Sequence, residues 1–560
     1  MAGMFEANVV ALTAARGEIR RNSAQTPVAR GAANLVLACL GFVASAAAAA
    51  QAADAAQTKA PPRPESTTVT VVQPSDVPVP RVLAPCAPGP CPFAGQKVTV
   101  IATKSAISVA LVEVQDEFEA ATGAKLEIVR LPGVEHYPTI ISDMTNRTGK
   151  YDASLAGSWW VGDMVAGGHL LSYDAFYGDA RFPKWDFDDV LPGPRNLMAY
   201  GGKRYMVAYD HDGQVMYYRR DLLNDPQHQA AFQRKYGYAL AVPQTWTEFR
   251  DAVEYFNGQD LNGDGTPDHG IVLALQPGSQ GMFNYMTLSA SFVIGPGNAR
   301  LYWFDPRTMG PLIRSPGHVR ALELFVALAK LGPREMLTWN HGRGWDHFLA
   351  GRAAFALTWG DLGALAQQPG SQVKGKTGAA QVPGTHEYYD IAQGKWVKTE
   401  GVNRVGNTTG ASWAGVISKY SKAPEATYFL LSLLASKEKS QVYAARGWDA
   451  IDPGRKFHFL PPEGTGTLEP YLRAGWNEAD VRDYLSAFQR TFSDKQQFPY
   501  LRIPGAYSYW LALDLHLVEA ASGQLSPAAA LAATAVDFEE ITIRLGRARQ
   551  RDAYRTSLGF

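Results

Sequence analysis

The chain has 560 residues, with 53 lysines and arginines against 53 aspartates and glutamates, and 11% of it is aromatic. That length exceeds what one hydrophobic core serves, so two or more core-forming units are expected. The balanced charge argues against nucleic acid or an anionic membrane as the main partner.

Ala32–Ala53 carries no charge, has a short apolar centre (Leu35, Val36, Leu37, Leu40, Phe42, Val43) and ends in an alanine run. Arg20, Arg21 and Arg30 precede it. This is the layout of a secretory signal, with small-residue cleavage sites near Ala48–Ala53, so residues 1–53 are assigned to it. Alanine-rich sequence partitions weakly into lipid, which disfavours a membrane anchor. Cys39 follows Val-Leu-Ala, a partial lipoprotein box, but the residues after it stay apolar, so a lipid anchor is disfavoured too. Export implies an oxidising compartment, where the two remaining cysteines, Cys86 and Cys91, are expected to pair. Residues 54–95 are rich in Pro, Thr, Ser and Val and are read as an extended linker, with order beginning near Gln96.

Lys97–Thr103 reads as a buried strand, and Ala106–Thr122 as an amphipathic helix that Gly123 ends. A strand at Leu126–Leu131, a helix from His136 to Arg147 and a strand at Tyr151–Ala156 follow. This alternation predicts an α/β fold with a parallel sheet, in which ligands bind beyond the carboxyl ends of strands. The loop at that position carries Trp159 and Trp160.

Tyr200–Leu223 reads as a Gly-Gly turn, a strand, a polar corner and a second strand. The corner, Asp210-His211-Asp212-Gly213, places three titratable groups between two apolar runs. Asp210 and Asp212 either accept hydrogen bonds from ligand hydroxyls, pair with a cationic ligand, or bond their own turn; His211 is read as a structural or rim residue. Thr245-Trp246-Thr247-Glu248 is a capping box that opens a helix to about Asn257. In Asp260–Asp268, oxygen side chains recur at Asp260, Asn262, Asp264 and Asp268, with Gly265 at position six and the Thr266 carbonyl at seven. That spacing suits a structural Ca²⁺, although Ile271 stands where a sensor loop has glutamate. Helices are expected at Ser315–Lys330 and Trp345–Gly351, and a strand at Ala353–Thr358, ending in Trp359-Gly360-Asp361. Trp345-Asp346 and Trp448-Asp449 both follow a glycine, and each pair either lines a cleft or starts a helix. Asn407, in a turn before a strand at Trp413–Ser418, is a further candidate to line the cleft and bind ligand. Helices open at Pro424 and Pro527, the last one capped by Gly546.

VPQTWTEFRDAVEYF, FLAGRAAFALTWGDLGA, the stretch from Ala411 to Ala444, and the C-terminal segment that opens IPGAYSYW together resemble the extracellular solute-binding proteins of ABC importers, the group that includes maltose-binding protein. The resemblance runs from about Gln96 to Gly546, and the order and spacing of the segments carry it. It implies a two-lobed type II periplasmic-binding fold, each lobe a sheet flanked by helices and joined by a hinge. Lobe 1 is then 96–209 plus 416–475, and lobe 2 is 210–415 plus 476–560. It implies a cleft where Trp160, Trp359 and Trp510 converge with Tyr507; Asp361, on the same loop as Trp359, is a candidate for ligand hydroxyls. The Ca²⁺ loop looks like that of alginate-binding relatives. The implied function is capture of a sugar, polyol or similar solute for an inner-membrane ABC permease, by a monomer in the periplasm without covalent chemistry. Rival readings are an exported glycan-active hydrolase using Asp210, His211 and Asp212, and an accessory binding protein of a dehydrogenase system.

Overall fold

The computed structural model describes residues 77–560 apart from 297, 299, 408–411 and 448–449. The signal-peptide expectation falls outside the described residues.

Two separate sheets organise the chain. In the first, the strands run in the order Lys125–Leu131, Lys97–Thr103, Ala153–Gly157, Trp413–Ser418, Leu170–Leu171. The first three are parallel, and Trp413–Ser418 runs antiparallel to Ala153–Gly157. Val207–Ala208 also pairs with the Trp413 strand. In the second sheet the order is Thr377–Ala380, Val215–Arg219, Ala353–Thr358, His269–Val272. The chain therefore leaves the first sheet at Ala208 and enters the second at Val215. The sheets serve separate hydrophobic clusters. One gathers Val98, Val100, Phe118, Leu155, Val416 and Leu430; the other gathers Phe249, Ile271, Phe355, Leu322 and Trp510. This is the two-lobed α/β architecture expected from the sequence.

Local chemistry sets most element ends. Thr245 caps the helix Trp246–Phe256, its hydroxyl accepting from the Glu248 N–H while the Glu248 carboxylate accepts from the Thr245 N–H. Gly123 closes the helix Gln115–Thr122 with φ 71°, a conformation other residues adopt at a cost. Predicted helix Ala106–Thr122 is instead three pieces: a 3₁₀ turn at Ala106–Ser108, then Val109–Glu113 and Gln115–Thr122. Predicted helix Trp345–Gly351 begins earlier, at His341, because the Asn340 side chain caps it. A last helix, Arg547–Ser557, follows Gly546 and was not anticipated.

Residues 77–95, expected to belong to the linker, pack against the first lobe. Cys86 and Cys91 form the disulfide. The Lys439 ammonium donates to Glu117 Oε2 at 2.6 Å and to the Pro80 carbonyl at 2.9 Å, with both ionic side chains buried. The other Glu117 oxygen accepts from the N–H groups of Val82 and Leu83. Arg446 bridges Glu113 and the Val77 carbonyl. Burial alone would push the Glu117 carboxyl up, but Lys439 and the two N–H groups hold it below its ordinary value. The stabilisation is therefore present above about pH 4 and lost as pH falls through the lowered native value. Lys439→Met, which leaves Glu117 buried without a cation, is predicted to lower unfolding free energy by about 3–5 kcal/mol at pH 7. Urea denaturation of the two proteins measures this; equal midpoints would contradict it.

Candidate functional site

The crossing between the sheets is a buried knot of carboxylates. Asp210, His211 and Asp212 are all buried. The Asp210 N–H donates to the Trp413 carbonyl at 2.9 Å, and its carboxylate accepts from the N–H groups of Asp452 at 2.8 Å and Trp413 at 3.4 Å. Asp210 thereby ties the first crossing both to the returning strand and to a segment more than two hundred residues away. The Asp452 carboxylate in turn accepts from the Gly360 N–H at 3.0 Å and the Tyr484 hydroxyl at 3.2 Å. Gly360 has no room for a Cβ, which would meet the Asp452 carboxylate at 2.1 Å.

Carboxylate oxygens of Asp210, Asp212 and Asp452 lie within 4.8 Å of one another, close enough to share a hard cation. Asp361 stands close enough for its charge to act on all three. No lysine or arginine pairs with any of the four among the described residues. Burial, and then mutual repulsion, pushes Asp212 and Asp452 well up. Burial pushes Asp210 up to about 6; burial and the Asp210 charge push Asp361 up to about 7. His211 is held down to about 3 by burial and the nearby Arg455 charge. Its ring lies against Gly454, and neither ring nitrogen has a hydrogen-bond partner among the described residues. The Asp-His-Asp corner is therefore not arranged as an acid–base pair, and the hydrolase reading finds no support in it.

An indole corner flanks the knot on the first lobe. Trp159, Trp160 and Trp413 meet edge to face, with centroids 5.1–5.5 Å apart. Trp160 is braced from behind by the Tyr137 and His136 rings at 5.2 and 4.9 Å. His136 is itself fixed between Thr103 Oγ1 and Ser154 Oγ, each at 2.9 Å. Trp159 is the indole that packs against both hydrophobic clusters. Asp163, one helical turn past Trp160, accepts from the Tyr137 hydroxyl and from the Gly505 N–H, each at 2.9 Å.

The second lobe presents its own aromatic wall. Trp359 meets Phe283 at 5.5 Å and His341 at 5.8 Å. His341 meets Trp345 at 4.8 Å, and the Trp345 N–H donates to Thr358 Oγ1 at 2.8 Å. Thr358 also bonds the buried Gln280 amide. Tyr507 is partly exposed, with its hydroxyl over Gly278.

Several expected residues are placed differently. Trp510 is 0% exposed, wedged edge to face between Phe283 at 5.8 Å and Tyr500 at 5.1 Å. It backs the Trp359 wall through Phe283 instead of forming its surface, because it lies with Tyr509 and Leu513 on the helix face that packs into the second hydrophobic cluster. Asn407 is fully buried, donating to Thr287 Oγ1 at 2.9 Å; Thr287 donates to Gln214, which ties the two crossings together. Asp346 is half-buried in the middle of its helix, not at its start. Trp448 and Asp449 fall outside the described residues. Trp413, Asp452, Asp163 and His341 were not anticipated. Asp163 lies at helical spacing from Trp160 and could have been found; Asp452 carries no local signal.

In the Asp260 loop the side chains turn onto their own backbone. Asp260 accepts from the N–H groups of Gly263, Asp264 and Gly265, and Asp264 from that of Thr266. The Asn262 side-chain oxygen Oδ1 accepts from the Asp264 N–H. Asp268 is 2% exposed; one of its oxygens accepts from the Leu261 N–H at 2.8 Å, and the other has no hydrogen-bond donor, with Arg352 at 3.9 Å.

A family profile described as bacterial extracellular solute-binding protein matches residues 103–441, more than half of the chain. Solved structures share the fold. One is an ABC transporter solute-binding protein from Agrobacterium radiobacter K84 in complex with ribitol, with TM-score 0.60 and 20% identity, covering 80% of this chain and 100% of that one. A second, from Agrobacterium vitis S4 with bound D-mannitol, has TM-score 0.57 and 19% identity, covering 81% and 99%. A third, maltose-bound T. maritima MalE3, has TM-score 0.57 and 19% identity, covering 80% and 100%.

The raised carboxylates carry a pH signature. The native Asp361 carboxyl keeps its proton up to about pH 7, whereas an unfolded aspartate loses it near pH 4. Between those values the native state binds more protons, so stability falls as pH rises from about 4 to about 7. Asp361→Asn is predicted to shallow that fall and to raise unfolding free energy at pH 7.5 by about 2 kcal/mol or more. Urea denaturation from pH 4 to 8 reads this out; an unchanged pH slope would contradict it.

Proposed function

The chain belongs to the bacterial extracellular solute-binding proteins, and from that premise we propose that it captures a sugar or polyol between its lobes and delivers it to an ABC permease. The observation that carries this reading is the pair of aromatic walls beside one crossing: Trp159, Trp160 and Trp413 on the first lobe, Trp359, His341 and Trp345 on the second. Indole faces cover the apolar C–H faces of a sugar, while carboxylates and amides take its hydroxyls. The ribitol, mannitol and maltose in similar structures support this solute class. Asp212, Asp361 and Tyr507 are the polar groups proposed to meet the solute, with Trp159, Trp160 and Trp359 as its stacking partners. Asp210 and Asn407 hold the hinge, and Trp510 supports the wall.

Function follows from population shift. Contacts to both lobes favour the closed arrangement by the difference in solute affinity between the closed and open forms. No covalent step is needed, and the similar proteins are binding proteins, not enzymes. The family's extracellular character implies export. A monomeric, periplasmic protein docking an inner-membrane permease is the proposal that fits it. Three clustered carboxyl groups, Asp210, Asp212 and Asp452, with no lysine or arginine partner among the described residues favour a second reading, a solute that carries an ammonium group over the knot.

We further propose that Asp260, Asn262, Asp264, the Thr266 carbonyl and Asp268 hold a structural Ca²⁺. The buried Asp268 oxygen without a donor is the feature that fits a cation. The ion would close the loop between the helix Trp246–Phe256 and the strand His269–Val272.

A thermal-shift screen over sugars, polyols and aminated sugars, with and without EDTA, tests these assignments. A solute at about a hundred times its Kd should stabilise by about 2.7 kcal/mol without changing mass. Trp359→Ala and Trp159→Ala should each weaken that solute at least tenfold. A solute consumed during incubation would contradict the receptor reading. A melting temperature indifferent to EDTA and to added Ca²⁺ would contradict the metal loop.

A further inference from the structure

Asp163 and Gly505 belong to different lobes, and a hydrogen bond joins them. Asp163 lies in the helix Val161–Ala166, whose Val161 and Met164 sit in the first hydrophobic cluster. Gly505 precedes the helix Ala506–Ala521, whose Ala506, Tyr509 and Trp510 sit in the second. One Asp163 oxygen accepts from the Gly505 N–H at 2.9 Å, and the other from the Tyr137 hydroxyl at 2.9 Å. Tyr137 is also the ring that braces Trp160 at 5.2 Å. A hydrogen-bonded chain thus runs from the first-lobe indole corner to the start of the helix that carries Tyr507.

The backbone beside it is shaped for close approach. Gly162 faces the peptide between Arg502 and Ile503, and a Cβ there would lie 2.6 Å from backbone atoms. Gly505 has φ 71°, and a Cβ on it would meet Leu545 at 2.5 Å. Within its own lobe the segment that presents the Gly505 N–H is held by the Gln550 amide, which donates to the Pro504 carbonyl at 2.9 Å. The Arg502 guanidinium reaches into the stretch assigned to the first lobe, donating to the carbonyls of Leu197 at 3.0 Å and Ala199 at 2.7 Å. Gly162 at a contact between lobes, beside a carboxyl group that reaches across, is what a closing surface needs: no side chain keeps the two backbones apart there, and one acceptor meets one donor.

We propose that Asp163 and the Gly505 N–H form an interlobe latch that holds the closed arrangement, with Gly162 permitting the approach and Tyr137 positioning the carboxylate. The latch rests on the two-lobed reading but not on which solute is bound, and it stabilises closure without touching the solute. Its energy adds to the closed state alone, so it tunes how much solute binding is needed to shut the protein.

The test uses the solute-free full chain. Small-angle scattering gives the radius of gyration, and hydrogen exchange follows the peptide containing Gly505. Asp163→Ala removes the acceptor; Gly162→Ala leaves it but wedges the backbones apart. Both variants are expected to enlarge the radius of gyration and to speed exchange at Gly505 by roughly tenfold or more, the scale of a lost hydrogen bond to a charged group. Asp163→Asn keeps an acceptor oxygen and should recover much of both. Faster exchange with an unchanged radius of gyration in both alanine variants would mean that Asp163 merely caps a helix, and would overturn the latch. Unchanged exchange would overturn it as well. Failure of the solute screen would leave both readouts intact.

Discussion

The arrangement depends on one buried acceptor, the Asp210 carboxylate. It joins three stretches that are remote in sequence: the outgoing crossing, the returning Trp413 strand and the Asp452 segment. A buried carboxylate is costly unless donors surround it, and here main-chain N–H groups supply them. Asp212, Asp361 and Asp452 stand close by, and among the described residues no lysine or arginine pairs with them, so burial and mutual repulsion favour their protonated forms. Such a cluster opposes stability in isolation and favours any partner that brings hydrogen-bond donors or positive charge.

Rigidity elsewhere makes that tension usable. His136, Tyr137 and Thr103 fix Trp160 from behind, and Phe283 with Trp510 fixes Trp359. Each aromatic wall is therefore a preformed surface whose side-chain entropy is spent during folding, not during binding. Ion pairs Lys439–Glu117 and Arg446–Glu113 tie helix Lys437–Arg446 to the first lobe, and the backbone of 77–95 adds hydrogen bonds to Lys439, Glu117 and Arg446. At the crossings, Asp210, Asn407 and Gln214 form hydrogen-bonded ties instead of a packed apolar core.

Much of the fold was legible because its signals are local. The Thr245–Glu248 box, Gly123 and the strand Ala353–Thr358 lie where capping chemistry and apolar runs place them. The paired indoles at Trp159 and Trp160 were legible because the carboxyl end of a parallel strand is a crevice position. Depth was not legible. Helical spacing tells which residues share a face with Tyr507, but not that Trp510 is wholly buried. Nor can composition tell that a Pro-rich stretch has buried partners: Glu117 and Lys439 are more than three hundred residues apart. Asp452 joins the knot through tertiary contact alone. Asp163 was within reach, three positions after Trp160 in a short helix.

The central claim is that a solute occupies the space between two walls carried by different lobes. Its most direct measurement is a crystal structure of the protein with whichever sugar, polyol or aminated sugar raises its melting temperature most. The account predicts the solute touching Trp159 or Trp160 on one side and Trp359 on the other, with Asp212 or Asp361 on its polar atoms. A solute bound to one lobe alone, or remote from the Asp210 crossing, would contradict it.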